Sequence, residues 1–184
     1  MAAIEPSEVY CAAALCFHTN YLKKVASDGV VNLIGEFFPA AEKEAKANIV
    51  YPGNKKDILD LFAEMDIIDD TYSDIGPWAG ESFEVQLLPS LDGNEGKELK
   101  QKLNDMIVGI SAAIAIQKWM KDEHSVNDPV ADKVYLTGNK WPRKVEPLQV
   151  QAHGFDAYNS SDLIVRPAKM KNAYFGVSLK KKFS

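Results

Sequence analysis

The stretch "SSDLIVRPAKMKNAYFGVSLKKK", residues 160–182, decides how the chain is read. Leu163–Val165 is a short apolar run opened by Asp162, and "AYFGVSLKKK" is a second strand after a turn around Ala168 to Asn172. Side chains on a strand alternate between faces, so Val177 and Leu179 share one face, and Ser178 and Lys180 the other. If the two strands pair antiparallel, Asp162 at the start of one comes close to Lys180 at the end of the other. A carboxylate, a hydroxyl and an ammonium then meet at one end of a sheet. A hairpin with a solvated basic edge has the same pattern, so both readings stay open on these residues.

Upstream the grammar is helical. Ser7 has the character of an N-cap for a helix to about Ser27, closed by Asp28-Gly29. "VVNLIGEFF" continues as a second helix or a short apolar segment, interrupted by Pro39, and Asn54 caps a helix through Ile67. "SFEVQLL" alternates as a strand inside a Gly-, Pro- and Asp-rich region. Asn94 opens the longest helix, to about Glu123, with a stripe through Leu99, Leu103, Met106, Ile110 and Ile114. Beyond Pro129 the pattern turns to strands, beginning with "DKVYLTG". This order predicts an α+β fold, a helical N-terminal part (1–93) packed on a small mixed, mostly antiparallel sheet. The sheet and long helix come from residues 94–184, and the two parts form one compact unit.

Charge divides the chain more sharply than hydropathy. Residues 1–130 hold 11 Lys/Arg against 22 Asp/Glu, whereas residues 131–184 hold 10 against 4, a net of +6 within an overall −5. A basic half of this kind suits a polyanion or the acidic half of its own chain. No apolar run is long enough to span a bilayer, so no membrane association is expected. Cys11 and Cys16 are the sole cysteines, in a helical pattern with no disulfide framework. With no basic leader at the N-terminus, an intracellular, cytoplasmic setting is expected.

The group set around Asp162 is one that phosphodiester hydrolysis uses. A carboxylate holds Mg²⁺ or Mn²⁺, the ion polarises phosphate and acidifies water, and a lysine orients that water or neutralises developing charge. An Asp at a strand start, a hairpin, and then an (acid)-x-Lys strand, preceded by a helix and a first strand, resembles the PD-(D/E)XK nucleases. Their core runs helix, three strands, helix, strand, and the resemblance covers about half of this chain. It implies a restriction-endonuclease-like core and a metal-dependent nuclease of DNA or RNA, as in phage and viral members. It further implies Asp162, Ser178 and Lys180 as catalytic residues, with Asp162 and a second acid on the metal, for which Asp156, Glu123 and Asp122 are the nearest candidates in the sequence. Here Ser161 stands where the family often has Pro, and Ser178 where it has an acid. Ser184 follows Lys180 by four residues, so the family's last helix and strand are expected from a longer protein or replaced by the N-terminal helices.

The remaining cations, Lys140, Arg143, Lys144, Arg166, Lys181 and Lys182, are candidates for phosphate contact. "GNKWPRK" sets Trp141 among three of them, while Trp78 and Trp119 read as core or partly buried anchors. His18, His124 and His153 are scattered, "IIDDTYSD" lacks the glycine and terminal glutamate of a calcium loop, and no phosphate-binding glycine loop is present. The alternative expectation is a non-enzymatic nucleic-acid-binding or assembly protein, of viral type, working through the basic C-terminal region.

Overall fold

A computed structural model describes residues 5–28, 32–50, 93–136, 162–170 and 173–179. The chain folds as α+β. Helix α1, Pro6–Ala14, is capped by Glu5 rather than by Ser7. Glu5 has extended backbone, and a reciprocal capping box joins it to Glu8, whose Oε2 accepts the Glu5 N–H at 3.1 Å. Pro6 in the first turn gives up no helical hydrogen bond there, and Ser7 turns inward and is buried.

The single helix expected to about Ser27 is two, with α2 at Thr19–Asp28. Backbone groups in the break are recruited by other elements. The Leu15 carbonyl accepts the Ala131 N–H at 2.9 Å, and the Phe17 carbonyl accepts the Gln117 side-chain amide at 2.8 Å. Pro39 also behaves otherwise than expected. A π-helical segment, Leu33–Phe37, runs directly into α3, Phe38–Asn48, with the proline in the first turn, where a missing N–H costs little.

Helix α4, Gly93–His124, matches the long helix read from the sequence. Leu103, Met106, Ile110, Ala113, Gln117 and Met120 are buried at alternating spacings of three and four, a stripe that keeps one face on the core. The polar member is satisfied, because Gln117 also accepts from Thr19 Oγ1 at 2.6 Å. Gly109 lets α1 and α4 cross closely. A Cβ there would lie 2.6 Å from Tyr10 Cβ and 2.7 Å from the Cys11 backbone nitrogen. At the far end Ser125 takes a left-handed φ of 56°, and the Val126 N–H reaches back to the Met120 carbonyl at 3.1 Å. The left-handed residue ends the helix, with serine where glycine is usual.

Among the described residues, four strands form one mixed sheet in the order β1-β2-β3-β4. β1, Ile49–Val50, runs parallel to β2, Ala131–Leu136. β3, Leu163–Pro167, and β4, Phe175–Val177, continue it antiparallel. β1, from the N-terminal part, was not expected, since two residues leave no alternation to read. Asp132 is an extra residue in the β2–β3 pairing, and this bulge sets Ala131 on the core face with Val134 and Leu136. That face, with Leu163 and Val165, packs on the helices, while Tyr135 and Ile164 form a smaller cluster with Val50 and Tyr174 on the other. The Asn54 helix, the "SFEVQLL" strand and "IIDDTYSD" lie outside the described residues. No helix among the described residues is long and apolar enough to cross a membrane.

Candidate functional site

β3 and β4 pair antiparallel, the arrangement on which the nearness of Asp162 to the Ser-Leu-Lys stretch depends. Leu163 pairs with Val177, and the Asp162 N–H donates to the Val177 carbonyl at 2.8 Å, so the ladder runs one residue past β3. Continued outward, the register sets Asp162 across from Ser178, which is exposed. The Asp162 side chain turns onto the opposite backbone, where its Oδ2 accepts the Leu179 N–H at 2.5 Å. Leu179 is the middle residue of Ser178-Leu179-Lys180, so the carboxylate is fastened to the chain immediately before the lysine. Lys180 itself lies outside the described residues.

Of the other site residues among the described residues, the structure brings neither Glu123 nor Arg166 to this end of the sheet. Glu123 is exposed on the last turn of α4, in the helix layer that covers the Leu163/Val165 face. Alternation from Leu163 gives Asp162 to the Ile164 side instead. Asp156, the other acid, is outside the described residues, as are Lys140, Arg143, Lys144, Lys181, Lys182, Trp78, Trp141 and His153. Asp162 supplies the hard oxygen that Mg²⁺ prefers. Among the described residues, however, no three His, Cys, Asp or Glu side chains gather as a metal-holding group. They contribute a single candidate ligand, and no chemical step is built on the ion.

Arg166, expected among the phosphate-contacting cations, serves the sheet. Its Nε and Nη2 donate to the two oxygens of Asp132 at 2.8 and 2.9 Å, a bidentate pair that is mostly buried. This contact holds the guanidinium charged, with its pKa raised above the usual value, and Tyr174 is a further hydrogen-bonding neighbour. Burial foremost raises the Tyr135 phenol on the same face, where its ring lies 6.2 Å from that of Tyr174. Lys169 pairs with Asp128 at 3.0 Å, and that hydrogen bond lowers the Asp128 carboxyl below its usual range. Asp132 is missed by sequence reading because its role depends on the bulge, which no local pattern announces.

Trp119 is partly buried rather than core. It is 38% exposed near the end of α4, with the rings of His124 and Phe175 set edge-on to it at 4.6 and 6.0 Å. His124 and Phe175 are themselves 5.2 Å apart, so the three rings form one cluster beside β4. No family model, curated protein or solved structure matches the chain.

Proposed function

We propose that the chain is a metal-dependent nuclease acting at the Asp162–Ser178–Lys180 end of its sheet. The observation that supports this reading is the hydrogen bond from the Leu179 N–H to Asp162 Oδ2. It joins the aspartate to the Ser-Leu-Lys backbone, as a site built from two neighbouring strand ends requires. Asp162 would hold a divalent cation, Mg²⁺ or Mn²⁺, with an acid such as Asp156, and such an ion would supply an activated water and charge neutralisation at the phosphate. Ser178, across from Asp162, donates its hydroxyl to a phosphate oxygen. Lys180 stabilises the charge that builds on phosphorus, and Lys181 and Lys182 hold the flanking backbone.

The same hydrogen bond favours a second reading, because a carboxylate that closes a hairpin has a structural role without any chemistry. The chain then binds nucleic acid through its basic C-terminal region and leaves it intact. Labelled single- and double-stranded DNA and RNA, incubated with Mg²⁺ or Mn²⁺, separate the two. Cutting that EDTA abolishes and Lys180→Ala loses supports the nuclease. Retention of a labelled strand with no cutting in either metal removes the nuclease and leaves the binder.

A further inference from the structure

We draw no further inference here: the strongest candidate, the outward face of α4 from the exposed Val108 through Ala112 and Ala115 to the exposed Trp119, is an unpartnered helix face, and nothing in the structure shows what covers it.

Discussion

At the scale of single residues, the hydrogen bond that Asp162 accepts and the metal-binding role proposed for it can be separated by substitution. Its Oδ2 accepts a backbone N–H, a bond that needs only an oxygen at that position, whereas a metal needs the charge. Asp162→Ala leaves the Leu179 N–H without this acceptor, and a loss of about 1–3 kcal/mol is expected in urea unfolding. Asp162→Asn keeps an acceptor and is expected to recover most of that stability while remaining inactive in the cleavage assay. An Asn variant that cuts as well as wild type removes Asp162 from the metal. Cys11 and Cys16 give a pH dependence. Burial foremost raises both thiols, with Glu8 adding to Cys11, and Cys16 is pushed up to about 12 from the ordinary 9.0. Above 9.0 the unfolded chain sheds thiol protons that the folded chain keeps, so this stability is present below that pH and lost as pH rises. Wild type is therefore expected to lose more stability than Cys11→Ala/Cys16→Ala in that alkaline range. Parallel pH profiles of the two, by chemical denaturation, contradict the shifts.

Elements whose cause is local were legible in the sequence, and those whose cause is distant were not. The long helix emerges within a residue of its expected ends because a stripe from Leu103 to Met120, a helical start and a stop before Pro129 all lie within it. The β3–β4 hairpin was legible as two short apolar runs either side of a turn, while its register, Leu163 across from Val177, was not read. The α1–α2 break did not, because a strand and a helix more than a hundred residues on recruit the carbonyls of Leu15 and Phe17. At the candidate site, the nearness of Asp162 to Ser-Leu-Lys was readable. The diversion of Arg166 onto Asp132 was not, since it depends on a bulge. Gly109 belongs with the distant causes. Nothing near it marks a helix crossing, yet Ser7 and Cys11 backbone atoms leave no space for a methyl group. Gly109→Ala gains helix propensity of about 1 kcal/mol and must push α1 away from α4, an overpacking cost of about 1–3 kcal/mol. A net loss in thermal stability is expected. A gain, the result for an ordinary exposed helical glycine, shows that α1 and α4 do not cross at Gly109.

Across the whole molecule, charge and fold divide the chain in different places. The sheet joins β1 from the acidic part to β2, β3 and β4 from the basic part, so the two parts share one core despite opposite net charge. Within the basic part, Arg166 and Lys169 pair with Asp132 and Asp128. Internal pairing therefore draws on the cations nearest the β2–β3 end and reduces what they add to attraction at a distance. The run Lys180-Lys181-Lys182 stands apart from any acid in the sequence from Pro167 onward. If that run holds nucleic acid, each phosphate it neutralises releases a counterion, and binding weakens with salt by a slope of about 0.7 per contact on single strands. Replacing all three lysines by glutamine is expected to reduce the slope of log affinity against log salt by about 2. Arg166→Gln is expected to leave that slope nearly unchanged while lowering stability, because it strands Asp132 in a mostly buried site. The two variants thus separate a surface cation from a structural one by different measurements. A slope that falls with Arg166→Gln and not with the lysines would place the polyanion on the β2–β3 end of the sheet instead.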